Sequence, residues 1–230
     1  MIPRHLHQIW LGGPPPAPVL TWVETWRTHH PDWEHTLWTD DNRPELVNEA
    51  QFERAPTWAM KADLLRYELL LKFGGVYVDA DFECHKTIDG LIGDRPLVLV
   101  SEFGVVCNSV IGCVDGHDFV RGCVERAGTA VSGATDSELA RPHLLTGPYM
   151  VDRLFVDMGV AMADPGALLA GDFFFPPRTR VSETLRHAEQ KRYATHHALA
   201  TWRREPLYRR WAHRSQLRTR LNRMFDLSAP

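Results

Sequence analysis

The sequence predicts a single α/β domain, a sheet of short strands flanked by helices. Three observations carry this reading. Short apolar runs alternate with helix-patterned segments through the first 85 residues, the order that builds neighbouring parallel strands. A long helix pattern from Thr57 to Phe73 stops at Gly74-Gly75 and is followed at once by the apolar triplet Val76-Tyr77-Val78. The 230 residues suit one domain, able to bury about 70% of the unfolded chain's surface without disulfides or a structural metal.

In chain order, Leu6 to Leu11 is an apolar-rich run closed by Gly12, Gly13 and three prolines, a strand running into a loop. Val19 to His29 places Leu20, Val23 and Trp26 near helical spacing. Glu34 to Trp38 is a second strand followed by turn-prone Asp40, Asp41 and Asn42, and Pro44 to Phe52 a helix with Pro44 in its first turn. Thr57 caps the long helix that ends at Phe73, and one of the two glycines after it takes a left-handed conformation. Val76 to Val78 then delivers Asp79-Ala80-Asp81 at a strand end. Further on, Pro96 to Ser101 and Ser109 to Cys113 read as strands, and Asp118 to Arg126 and Gly147 to Met158 as helices. Phe173 to Phe175 is a short apolar run, Tyr193 to Ala198 a short strand, and Pro206 to Phe225 a C-terminal helix. With no internal repeat or low-complexity linker, residues 1–230 are expected to form one domain, 206–226 being a basic C-terminal helix.

Composition narrows the function. The net charge of −3 argues against a dedicated nucleic-acid binder. Cys84, Cys107, Cys113 and Cys123 form no CxxC pair, so a zinc site is not expected and free thiols in a reducing compartment are the simplest account. The N-terminal apolar run is too short for a signal peptide, and no stretch approaches the ~18 apolar residues of a membrane span. A cytoplasmic protein, with at most peripheral membrane contact, is the expectation.

The chemistry centres on Asp79-Ala80-Asp81. Desolvated carboxylates this close repel, and a divalent cation with hard oxygen ligands, Mg²⁺ or Mn²⁺, resolves the conflict. In α/β sheets ligands bind beyond the carboxyl ends of strands, where this pair falls. Asp-x-Asp alone is a weak signal, since a solvated pair of turn carboxylates has the same spelling. Asp63 and Arg66 lie three apart on the preceding helix and share a face. Arg66 suits phosphate or sugar hydroxyls and Asp63 suits hydroxyls; the plainer alternative is an intrahelical ion pair.

The runs Ala62-Asp63-Leu64-Leu65-Arg66-Tyr67 and Phe73-Gly74-Gly75-Val76-Tyr77-Val78-Asp79-Ala80-Asp81 resemble the sugar-binding Asp-x-Asp region of glycosyltransferase family 32. That family includes α-1,6-mannosyltransferases and capsular-polysaccharide enzymes. Ile2-Pro3-Arg4, His7-Gln8-Ile9-Trp10 and the PDWEHTLW segment resemble its opening, and the resemblance is dense over residues 1–85 and thin afterwards. It implies a GT-A fold with a Rossmann-like mixed sheet, a UDP- or GDP-linked sugar donor, a divalent metal and retention of anomeric configuration. In that reading Asp81 binds the metal directly, Asp79 faces the metal, the ribose or the donor sugar, and both act in catalysis with Asp63 and Arg66. The donor is contacted by His7, Gln8, Ile9, Trp10, Asp63, Arg66, Tyr77, Asp79, Ala80, Asn108, Thr201 and Trp202. Trp10 has an equally ordinary reading as a core aromatic. His196 is the first choice for a late histidine ligand and His197 the runner-up, since strand neighbours point oppositely. Thr201 stands where the family has Ser, and Ala198 where an aromatic is common. The Thr146-Gly147-Pro148 turn falls where related enzymes carry donor- and acceptor-side loops.

The acceptor is left open among glycans, lipid-linked sugars and small molecules. The arginine-rich C-terminal helix reads as a solvated face packed by its apolar stripe, with weak contact to an anionic membrane surface as the alternative. Two rival functions remain. A haloacid dehalogenase-type phosphatase also places Asp-x-Asp after a strand, but Phe82-Glu83 follows here instead of that family's pattern. A non-catalytic nucleotide-sugar or glycan-binding module is the other.

Overall fold

The computed structural model describes residues 1–102, 104–164, 166–169, 174 and 192–199. The first half runs β1 (His5–Ile9), α1 (Ala17–His29), β2 (Glu34–Trp38), α2 (Glu49–Arg54), α3 (Trp58–Phe73), β3 (Gly75–Val78) and β4 (Phe82–Cys84). A short helix α4 (Asp89–Ile92) leads to the hairpin β5 (Leu97–Glu102) and β6 (Val105–Cys113). Then come α5 (Asp118–Gly133), α6 (Asp136–Leu139), α7 (Pro142–Leu145), α8 (Pro148–Asp157), α9 (Val160–Ala163), β7 (Leu168–Leu169) and β8 (Ala194–His196).

Six strands form one mixed sheet in the order β2-β1-β3-β6-β5-β7. β1 is parallel to both β2 and β3, as the strand–helix alternation requires, whereas β6 runs antiparallel to β3 and to β5. A separate two-stranded ribbon pairs β4 with β8. One face of the sheet packs on α3, α5 and α8 through residues such as Leu65, Tyr67, Tyr77, Ile111, Phe119 and Phe155. The other face packs Leu6, Val76, Val78 and Val110 against Trp26, Phe82 and Phe174. β3 is therefore buried on both sides, which is why it reads as a continuous apolar run.

Helix α3 starts where the sequence indicates: the Thr57 hydroxyl accepts from the Met60 N–H. It ends because Gly74 and Gly75 both take positive φ, +62° and +88°. A side chain at Gly75 would collide with the His5 carbonyl of the neighbouring strand, so only glycine lets β3 start this close to β1.

The expected helix from Pro44 is a correction: α2 begins only at Glu49. The backbone N–H groups that an earlier start would use are held by carboxylates instead. Glu68 accepts from Val47 and Asn48, and Glu49 accepts from Leu46 and from Arg43. The expected helix over 206–226 lies outside the described residues, as do Thr201 and Trp202; of the run Phe173 to Phe175 only Phe174 is described. Among the described residues no helix is long and apolar enough to cross a membrane.

Candidate metal and donor site

Two segments far apart in sequence meet at the carboxyl end of β3. Asp79 and Asp81 follow the strand directly, and His196 closes β8, whose pairing with β4 sets His196 opposite Phe82. One ligand atom each from Asp79, Asp81 and His196 fall within 4.8 Å of one another. His196 Nε2 lies 3.2 Å from Asp81 Oδ1, its ring stacked on Phe82 with centroids 4.3 Å apart. Asp81 is wrapped further by the chain after β8: the His197 N–H donates to its carbonyl and the Leu199 N–H to Oδ2, each at 2.9 Å. Two carboxylate oxygens and one imidazole nitrogen form a donor set that fits Mn²⁺ or Mg²⁺ and leaves coordination positions for a ligand's own oxygens.

The carboxylates are compensated by protein charges too. Arg66 reaches Asp79 Oδ1 at 3.0 Å and Asp63 Oδ1 at 3.1 Å, and donates to the Asn108 carbonyl at 2.6 Å. Its guanidinium lies over the Tyr77 ring, 4.4 Å from the centroid. Arg66 is buried and its guanidinium is shared among Asp79, Asp63 and the Asn108 and Ala62 carbonyls, so its first task is to be the counter-ion of Asp79 and Asp63. Tyr77 donates to Asp79 Oδ1 at 2.7 Å. Burial pushes the Asp79 carboxyl upward, Arg66 pulls it back and the neighbouring Asp81 adds to the rise; the net direction is up. Burial acts the same way on Asp81, but the His196 hydrogen bond and the Leu199 N–H outweigh it and hold Asp81 below the usual carboxylate range. His196 moves the other way: burial lowers it, but Asp81 more than compensates, so its pKa is raised.

Beneath Arg66 lies a closed network. Asp63 accepts from Thr146 Oγ1 and Asn108 Nδ2, both at 2.7 Å. Asn108 Nδ2 also donates to the Tyr67 hydroxyl, which donates to the Thr146 carbonyl at 2.6 Å. Burial pushes Asp63 up to about 6 against the pull of Arg66 and these donors. Sequence alone gives Tyr67 no role, although its position four residues after Asp63 puts it on that residue's helix face. Asn108 and Ser109 sit in an irregular stretch of β6: its pairing with β5 jumps from Leu99↔Ile111 to Val100↔Cys107, which leaves 108–110 outside that ladder. Ser109 lies opposite Asp79, and its buried hydroxyl has no partner among the described residues.

The His7 to Trp10 segment is placed differently from the rest. His7 is fully buried, donates through Nε2 to the Gly74 carbonyl at 3.0 Å and accepts at Nδ1 from Trp38. Burial drives its pKa down to about 3, so it is neutral and committed to joining β1, β2 and the α3–β3 turn. Gln8, also buried, reaches the Asp79 carbonyl at 3.4 Å while accepting from His35. It acts on the carboxylate loop from below. Ile9 belongs to the core, and half-buried Trp10 packs with Ala80, Val19 and Val23. His197 turns away from the cluster, stacked on Trp22 at 4.0 Å and bonded to Glu83 Oε2 at 3.0 Å.

Known proteins resemble this chain in sequence and in fold. Residues 16–98 match the family described as glycosyltransferase sugar-binding region containing DXD motif. Over 125 residues the chain is 31% identical to inositol phosphoceramide mannosyltransferase 3 of Schizosaccharomyces pombe, covering 52% of this chain and 35% of that protein. The chain thus spans about a third of that relative's length. Among solved structures, the PaToxG glycosyltransferase superposes with a TM-score of 0.55 at 13% identity, covering 84% of this chain and 85% of that one. The UDP-bound glycosyltransferase domain of the YGT toxin superposes with a TM-score of 0.52 at 11% identity, over 74% of this chain and 79% of that one. With its Asp-x-Asp at the end of β3 and its mixed sheet between helical layers, the chain has the GT-A fold, and over residues 16–98 it resembles the glycosyltransferase sugar-binding region containing DXD motif.

Proposed function

We propose that this protein is a metal-dependent, retaining glycosyltransferase that moves a sugar from a UDP- or GDP-linked donor to a glycan, lipid-linked or small-molecule acceptor. The observation that carries the reading is the convergence of Asp79, Asp81 and His196 beside an Arg66 already paired with Asp79. The mannosyltransferase name of the fungal relative and the UDP bound by the toxin neighbour support a nucleotide-sugar donor. Mn²⁺ or Mg²⁺ held by Asp79, Asp81 and His196 would neutralise the leaving diphosphate as the sugar becomes oxocarbenium-like.

The chain's own residues do the rest. Arg66 favours the ionised form of Asp79 against burial, which favours the protonated form. Tyr77 orients that carboxylate, and Asp81 is fixed by three contacts from the β8 segment. Asp63 is bonded to Thr146, Asn108 and Arg66, which makes it a poor nucleophile and favours attack by the acceptor on the face the diphosphate leaves. A covalent sugar adduct on the protein would overturn that part of the reading.

The first test is release of nucleotide from a panel of UDP- and GDP-sugars with Mn²⁺, Mg²⁺ or EDTA, alongside donor binding. Asp81→Ala is expected to lower metal-dependent turnover by about a hundredfold or more, as loss of a principal electrostatic group does. Binding without release even with acceptor candidates present would favour the non-catalytic module. No donor binding at all would sink the glycosyltransferase reading.

A further inference from the structure

The sequence offers two adjacent histidines to one metal site, and the fold has to choose between them. β8 is three residues long and, among the described residues, pairs only with β4, itself three residues long. A two-stranded ribbon this short does not hold its own register. A slip by one residue would reverse its faces and present His197 where His196 stands. Something outside the ladder must specify the alignment.

The side chains supply it. On the outward side, His197 lies flat on Trp22 of α1, centroids 4.0 Å apart and planes 8° apart. It also donates to Glu83 Oε2 at 3.0 Å. On the inward side His196 stacks on Phe82. Helix α1 also fixes the partner strand: Trp26 Nε1 donates to the Phe82 carbonyl and Thr25 Oγ1 accepts from the Cys84 N–H, both at 2.8 Å. One helix thus holds β4 by its backbone and β8 by the His197 ring.

We propose that Trp22 and Glu83 are positioning residues that recognise His197, set the register of β8, and so select His196 as the third metal ligand. This rests on the reading of Asp79, Asp81 and His196 as the metal site. Neither Trp22 nor His197 needs to touch the ion. Trp22 also packs in the small cluster containing Ala80, so His197, which acts from the other side of the stack, provides an independent handle.

The test is Mn²⁺ binding to the full chain, read by electron paramagnetic resonance: the free-ion signal gives Kd, and nitrogen coupling reports a histidine ligand. Trp22→Ala and His197→Ala are each expected to weaken binding by about tenfold, the range of changes one step removed from a metal ligand. The double variant should be little worse than either, and Trp22→Phe, which can still stack, should restore most of the affinity. His196→Ala should lose the nitrogen coupling. Wild-type affinity in both Trp22→Ala and His197→Ala would overturn the proposal, as would nitrogen coupling that survives His196→Ala but not His197→Ala. If Trp22→Ala fails to fold, His197→Ala and Trp22→Phe decide the matter. Failure of the wild-type chain to bind Mn²⁺ would instead sink the metal-site reading, and this inference with it.

Discussion

At the scale of single residues, the site is a negotiation among buried charges. Asp63 is the clearest case: a buried carboxylate held by Arg66, Thr146 and Asn108, yet still raised to about 6. Relative to the ordinary aspartate value of 3.8, that is about 3 kcal/mol against the ionised native state at 1.36 kcal/mol per unit. The sign follows from linkage. The penalty is complete above pH ~6, is relieved as the native carboxyl takes up a proton before the unfolded one does, and is gone below pH ~4. Comparing urea unfolding of the wild type and Asp63→Asn between those limits should therefore show the wild type gaining about 3 kcal/mol on the variant as pH falls. Parallel profiles would mean that Asp63 has no raised pKa. The same carboxylate explains why the chemistry of Arg66 could not be read from its spelling alone. The spacing of Asp63 and Arg66 indicates a shared helix face, but the contact with Asp79 depends on where β3 ends relative to that face.

At the scale of elements, the boundaries that were legible in sequence are those with a local physical signature. Helix α3 has its hydroxyl cap and its glycine stop, and β2 its run between two turns; both lie where the residues indicate. Thr57→Ala should cost about 1 kcal/mol through loss of the cap. Gly75→Ala should cost more, about 2 kcal/mol or above, because it combines a positive φ with a collision against the His5 carbonyl. Thermal or chemical denaturation of the two variants would rank them, and the reverse order would contradict the close approach of β1 and β3. The elements that were not legible depend on partners distant in sequence. The start of α2 is set by Glu68, twenty residues beyond the N–H of Asn48 that it accepts from. The break in β6 that frees Asn108 is a property of its pairing with β5. Of the ribbon, β8 lies within the strand expected over Tyr193 to Ala198, whereas β4, three residues long, is too short to show alternation.

At the scale of the whole molecule, a metal held by residues from β3's end and from β8 should link ligand binding to global stability. At a hundred times its Kd, Mn²⁺ is expected to stabilise the folded chain by about 2.7 kcal/mol. That corresponds to a rise in Tm of about 5–10 °C for a domain of this size. The rise should vanish in Asp81→Ala, and a chain whose Tm ignores Mn²⁺ would argue against a site preformed as described. The contact between Leu199 and Asp81 spans 118 positions of sequence, which has a consequence for biosynthesis. A chain emerging from the ribosome completes β1, α3 and β3, and exposes Asp79 and Asp81, long before His196 is made. During that interval the two carboxylates have Arg66 for company but neither their imidazole nor the backbone wrap of the 197–199 segment. An incomplete chain therefore lacks the third member of the Asp79, Asp81 and His196 cluster, which is complete only once synthesis has passed β8.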